Sequence, residues 1–320
     1  MTFFILPEKK FIEPNRELVL PGTRLAGFYK FEATNRFTGK KRLLKDWFPN
    51  LITNNGLNGI GATSNVMNLC KVGSGNTAPT FADSQMQSFI ASSNSVQTDE
   101  QLAQSTPPYY GYSRRVYRFN AGVAAGNIAE VGVGTTSGNT GVLFSRALIN
   151  DGGSPTTPTT ITVLSDEFLD VTYELRNYPV TTSDYAGSIV ISGETYNYTA
   201  RVANITSSQW APGTNGMGGP STASVYDGVL GAITSTPNGN NSNGSELASS
   251  YSTDTFYRES TFTWGLTQGN LAGSPSGIRC LAFRHNGNSF GWSQFQFDHS
   301  IPKTSSRILA IVARHTWARL

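Results

Sequence analysis

Apolar residues recur at every second position in several runs of this chain, and almost nowhere at the spacing of a helix. The alternation is clearest in "RLAGFYKFEATNRFTGKKRLLKDWF" (24–48), where two alternating runs flank the tip "NRFTGKK" and predict a β-hairpin. "RELVLPG" before it reads as a strand ending in a turn. Four more runs read as strands: "SRRVYRFN" (113–120), "NIAEVGVG" (127–134), "GVLFSRALI" (141–149) and "TITVLSDEFLDVTYELRNYP" (160–179). Ile52 to Met67 is the best helical stretch, and Gly56, Gly59 and Gly61 shorten what it can form.

The stretch "EVGVGTTSGNTG" (130–141) holds a G-x-G with further glycines after it, which raises the question of a phosphate-binding loop. Such a loop needs a helix whose N-terminus faces the anion, and here a strand pattern follows the glycines. The stretch is therefore expected to turn a hairpin.

A weak repeat runs through the pattern. "YRFNAGVAAGNIAEVGVG" (117–134) is echoed by "YRESTFTWGLTQGNLAG" (257–273). Each continues into an apolar strand, "VLFSRALI" in one and "IRCLAFRH" in the other, and each ends in an alternating strand. In those last strands Val171, Tyr173 and Leu175 share one face, as do Leu309, Ile311 and Ala313. The expected fold is all-β: two β-sandwich-like domains, residues 61–180 and 181–320, behind an N-terminal hairpin attachment segment, residues 1–60. Between Ala211 and Thr255, 30 of 45 residues are Ser, Thr, Gly, Asn or Pro, so little apolar surface is available and a surface excursion or mobile loop is expected.

Composition agrees with short strands and turns. Charged residues are 14 % of the chain and glycine fills 33 of its 320 positions. Residues 1–60 carry 10 Lys/Arg against 5 Asp/Glu, whereas the remainder carries 14 against 16. The basic residues alternate with apolar ones, which suits a solvated strand face and not a nucleic-acid-binding run. Cys70 and Cys280 have no partner spacing and are expected to be buried free thiols. The apolar start "MTFFIL" stops at Pro7, too short for a signal peptide or a spanning helix, so a soluble chain made in a cytoplasm is expected.

The phrases "WFPNLITNNGLNGIG", "VGSGNTAPTFADSQM" and "EVGVG…LFSRALI…ITVLSDEFLDVTYELR" resemble tail and tail-fibre proteins of tailed bacteriophages. So do "YTARVAN", "GNLAGSPSGIRCLAF" and "IPKT…LAIVARHTWARL" in the second half. The resemblance implies a structural virion component of the tail (tip, baseplate or fibre), assembled in the host cytoplasm, without enzymatic activity or cofactor. Its implied partners are other copies of itself, in roughly three or six copies, other tail proteins, and, as an alternative role, a bacterial surface glycan or pilus. Neither nucleic acid nor membrane insertion is implied.

Candidate contacts follow from residue type. Trp210, Tyr226 and Tyr251 border the polar excursion and are candidates either to meet a receptor, because loop aromatics give rigid, amphipathic contact area, or to cover strand edges and pack between subunits. Tyr109, Tyr110 and Tyr112 are similar candidates, while Tyr117 is expected to pack inside. Lys40, Lys41, Arg42, Trp47 and Phe48 are the candidate attachment residues. His285, His299 and His315 lack metal-ligand spacing and are expected to lie apart. Asp166, Glu167 and Asp170 sit at a predicted turn, where Asp is favoured by turn geometry, and are not expected to form a hydrolase pair.

Overall fold

The computed structural model describes residues 17–152, 157–180, 183–214, 216, 220–272, 276–285 and 290–320. Strands β1 (Glu17–Val19), β2 (Thr23–Asn35), β3 (Lys41–Pro49) and β4 (Leu51–Ile52) lead into helix α1 (Asn54–Gly61). Then come β5 (Leu69–Gly73), β6 (Phe89–Ser93), β7 (Val96–Ala103), β8 (Gly111–Phe119) and β9 (Gly126–Ile128). The first half ends with β10 (Glu130–Gly134), β11 (Leu143–Leu148), β12 (Ile161–Val163) and β13 (Glu167–Pro179). The second half starts with β14 (Tyr185–Ile191), β15 (Glu194–Ala203) and a 3₁₀ turn at Ser208–Trp210. It continues through β16 (Pro220–Tyr226), β17 (Asn241–Asn243), β18 (Ser245–Tyr251) and β19 (Tyr257–Trp264). It closes with β20 (Ile278–His285), β21 (Trp292–Ile301) and β22 (Leu309–Arg319).

One sheet of nine strands, ordered β18-β19-β22-β2-β13-β8-β7 with β1 beside β22 and β3 beside β2, runs through both halves. A five-stranded sheet, β4-β11-β10-β5-β6, and a six-stranded sheet, β14-β15-β21-β20-β16-β17, pack against it. Strand β22 shows on which side. Its alternate residues Leu309, Ile311 and Ala313 enter the core under the six-stranded sheet, and Trp317, in the same alternation, enters the core under the five-stranded sheet. Both small sheets therefore cover the same face of the large one, giving two sandwiches on a shared floor.

The two halves repeat one topology. The order β4-β11-β10-β5-β6 is matched by β15-β21-β20-β16-β17, and β13-β8-β7 by β22-β19-β18. Helix α1, between β4 and β5, corresponds to the 3₁₀ turn between β15 and β16. The repeat legible in the sequence is real at both ends: Tyr117 and Tyr257 lie on the equivalent strands β8 and β19, and the closing strands β13 and β22 correspond. Its middle is one strand out of step. "VLFSRALI" forms β11, whose equivalent is β21, whereas "IRCLAFRH" forms β20, the equivalent of β10.

The predicted hairpin exists as β2 and β3, but it does not stand apart as an attachment segment. Strand β2 pairs along all 13 residues with β13, and at Thr23–Leu25 with β22, so it joins the two halves of the large sheet. Its alternation explains the position: Leu25, Tyr29, Phe31 and Ala33 are fully buried. Residues 1–16 of the expected segment lie outside the described residues.

The expected glycine turn is also present. Strands β10 and β11 form an antiparallel pair around the turn at 135–142. The expected helix is confined to the eight residues of α1, capped by the Thr53 hydroxyl accepting from Gly56 N at 2.8 Å. The polar excursion is ordered where it is described. It contributes β16, β17 and the edge strand β18, and its 227–240 loop folds over the outer face of the six-stranded sheet. Buried Gln294 pins that loop: Oε1 accepts from Gly231 N at 2.9 Å, and Nε2 lies 3.1 Å from the carbonyls of Gly231 and Ala232. The equivalent loop 74–88 is pinned by Glu130 and Arg146. Glu130 accepts from Ser88 N at 2.7 Å and Gln87 N at 3.1 Å, and Arg146 bonds Glu130 at 2.7 Å and Asp83 at 2.8 Å.

Candidate interaction surface

Three sequence-predicted contacts are not available to a partner as expected. Trp210 is 1 % exposed, in a small core with Val202 and Ile205, and its indole donates to Ala203 O at 2.9 Å. Gly111 and Gly291 leave room for it, Gly291 at φ +97, a conformation that disfavours a side chain. Asn177 Nδ2 donates to Trp210 O at 3.0 Å, so the turn ties the second sandwich to β13 of the first. Tyr226 is buried against Cys280 and Ala282. Tyr251 is half-buried; its hydroxyl bonds Asn58 Oδ1 at 2.6 Å and its ring lies 5.8 Å from Trp317. Large aromatics beside a polar loop were drawn inward because the loop supplies too little apolar area to fill its own junctions.

The predicted attachment residues divide. Lys40 and Lys41 are exposed at the β2–β3 tip. Arg42 forks onto Glu167 at 2.7 and 2.6 Å, and this hydrogen bonding holds the Glu167 carboxyl below its ordinary range. Trp47 is exposed, but Phe48 is buried, 6.0 Å from the rings of Tyr29 and Phe31. Asp166 accepts from Asn35 at 2.6 Å and Asp170 from Arg118 at 2.8 and 2.7 Å, so all three carboxylates of the turn have cross-strand partners. Both cysteines are buried free thiols, as expected, and burial pushes the Cys280 thiol up to about 12.

Two histidines are together, contrary to the reading from spacing. His285 Nε2 and His315 Nδ1 are 3.0 Å apart and both rings are buried where the two cores meet. Thr23 Oγ1 lies 3.5 Å from His315 Nε2. They are 30 residues apart, on β20 and β22 of facing sheets, so no local spacing could reveal them. His299 is separate and exposed, between Glu194 at 3.0 Å and Asp298 at 2.7 Å. Among the described residues no three His, Cys, Asp or Glu side chains converge on a possible metal position.

What the structure brings together is the open face of the large sheet. One face of an antiparallel sheet commonly meets solvent, and it is then mostly small and polar. Here it carries an arginine–aromatic lattice. Glu174, on β13, is buried between Arg114 at 2.6 Å and Arg176 at 2.6 Å. Arg114 lies over Trp47 at 5.7 Å and Tyr112 at 4.9 Å, and Arg176 over Phe28 at 4.3 Å and Tyr110 at 4.7 Å. Tyr110 also contacts the ring of Tyr178 at 5.1 Å. Farther along the face, Arg118 pairs with Asp170 over Phe168 at 5.2 Å, and Arg314 pairs with Glu17 at 2.5 Å over Tyr257 at 4.2 Å. Each guanidinium is held in place by a carboxylate and stacked on rings, so its side-chain entropy is already largely lost.

The sheet edges are built differently. Strand β7 is exposed on both faces, acidic at Asp99 and Glu100, and bulged between Val96 and Thr98. At the opposite edge β18 is bulged between Glu246 and Ala248, with Leu247 70 % exposed. Bulges and charges blunt edges against strand addition. The open face, not the edges, carries the ordered arginine–aromatic groups.

Among the described residues no helix is long and apolar enough to cross a membrane. No known protein family matches the chain, and neither a curated protein nor a solved structure matches it.

Proposed function

We propose that this chain is a structural component of a tailed-phage tail that assembles as a homo-oligomer through the open face of its large sheet. The virion context rests on the tail-protein resemblance of the sequence. The assembly role rests on one structural observation, the preordered Arg–Tyr–Trp–Phe face. Interfaces concentrate their binding energy in these residue types, and preordering lowers the entropy lost on association. No chemical step is part of this role: the carboxylates on the face brace arginines.

Sedimentation velocity of the full chain, with and without Trp47→Ser plus Tyr112→Ser, tests this reading. Both residues are solvent-accessible, so the variant keeps its fold by circular dichroism. Oligomers that dissociate to monomer in the variant support the proposal. A monomer at every concentration, or an oligomer indifferent to both substitutions, overturns it.

A further inference from the structure

The six-stranded sheet ends on a strand that the repeat does not require. Strands β15-β21-β20-β16-β17 match β4-β11-β10-β5-β6, and β14 lies beyond β15 with no counterpart in the first half. It pairs with β15 along its whole length without a register shift. The two are joined at Ser192 and Gly193, whose φ of 54° and 83° makes a type I′ hairpin turn. The residues flanking such a turn, Ile191 and Glu194, form a hydrogen-bonded pair, and bonded pairs recur at every second residue from there. Ile191, Ile189, Gly187 and Tyr185 therefore bond β15. The N–H and C=O groups of Ala186, Ser188 and Val190 point to the opposite edge, where no described residue bonds them. The outer strands β7 and β18 of the large sheet are guarded by charges and bulges. Strand β14, "YAGSIVI", has no charge, no proline and no bulge, and Ala186 and Ser188 are exposed. An edge of this kind is a template for adding a strand.

We propose that β14 is a docking edge for β14 of a second copy, the two strands running antiparallel about a two-fold axis at Ser188. The strand is complementary to itself in that register. Ser188 faces the partner's Ser188 and Ala186 faces the partner's Val190, so each facing pair exchanges both of its free backbone bonds. On the inner face Gly187 lies opposite the partner's Ile189, a small residue against a large one. Asp184, which pairs with Arg201 of its own chain, falls opposite the partner's Ser192, so no like charges meet. These matches of size and charge make a second copy the occupant, and the six-stranded sheets of two copies become continuous. One strand pair is a small contact, of the weak and transient class when it acts alone. It persists when other contacts hold the same copies together. Because β14 belongs to a small sheet, this pairing stands whether or not the open face of the large sheet assembles.

The test is cross-linking of single cysteines with a short bismaleimide, which traps a transient pair. Ser188→Cys, Ala186→Cys, and Ala186→Cys with Val190→Cys are each placed in the full chain that also carries Trp47→Ser and Tyr112→Ser. Any dimer formed there owes nothing to the arginine–aromatic face. Cys70 and Cys280 are buried, so the chain without added cysteines is the blank. In the proposed register the two Ser188 positions are about 5.5 Å apart at Cα. The two Ala186 positions are four residues of strand rise apart, about 13 Å. Ser188→Cys should therefore cross-link to a dimer, and Ala186→Cys roughly tenfold more slowly or less. Adding Val190→Cys to Ala186→Cys should restore the fast reaction, because those two positions face each other across the axis. Equal rates for Ser188→Cys and Ala186→Cys, or no dimer from Ser188→Cys and from the double variant, overturn the proposal. Sedimentation before cross-linking reads the open face separately, so either idea can fail without the other.

Discussion

Replacing Trp210 by alanine tests whether this residue holds the two sandwiches together or meets a partner. Its ring is enclosed by Val202, Ile205 and the backbone at Gly291, with Tyr109 and Ile233 packed on the small core. Truncating such a buried indole costs about 3–5 kcal/mol through lost transfer energy and the cavity left behind. The Ala203 carbonyl, which accepts from the indole N–H at 2.9 Å, also loses its partner, adding about 1 kcal/mol. The sum is about 4–6 kcal/mol. With a urea dependence of about 3 kcal/mol/M, the unfolding midpoint falls by roughly 1.3–2 M. Far-UV circular dichroism reads this without relying on tryptophan emission. Trp210→Phe, which keeps much of the ring and loses the N–H, should cost only about 1–2 kcal/mol. A change below about 1 kcal/mol for the alanine variant would refute the reasoning, since a residue that contributes that little is not filling a core.

Three other outcomes follow from the buried polar groups. Glu130→Ala leaves the Arg146 guanidinium, 3 % exposed, with Asp83 and Thr77 O as its remaining partners, and strands the loop amides of Gly75, Gln87 and Ser88; thermal or urea unfolding should show a loss of about 3–5 kcal/mol. Gln294→Ala removes the pin under the 227–240 loop, so limited proteolysis should cut that loop faster while the rest of the chain stays intact. Burial and the neighbouring His285 hold the His315 imidazole well below its ordinary 6.5. Below pH 6.5 the unfolded chain therefore binds a proton that the folded chain does not. Stability should fall as pH drops through that range, by at most about 1.4 kcal/mol per pH unit from this group, and His315→Gln should flatten the slope.

The sequence made local features legible and left non-local ones hidden. Alternation in 309–317 and 24–33 identified β22 and β2 and their inward residues, because a strand with one buried face must alternate. The turn at 135–142 was readable from what followed the glycines. The position of β2 between the halves was not, since an alternating strand reads the same at a sheet's centre and near its edge. The repeat slipped by one strand in its middle because "VLFSRALI" and "IRCLAFRH" are both largely buried runs without clear alternation, and only pairing distinguishes them. The His285–His315 contact, the Trp210 plug and the Gln294 pin join residues on different sheets or loops, where no periodicity carries information. Trp47, Tyr110 and Tyr112 were singled out by residue type, but their arginine partners on β8 and β13 emerge only from the register of the large sheet.

The most direct test of the assembly face is hydroxyl-radical footprinting of the chain, compared between monomer and assembled oligomer. Assembly should protect Trp47, Tyr110, Tyr112 and Phe28 on the open face, while Leu102 and Leu247 on the blunted edge strands stay reactive. Protection of these edges with an unprotected face would contradict an assembly role for the face, and would make strand pairing the mode of assembly.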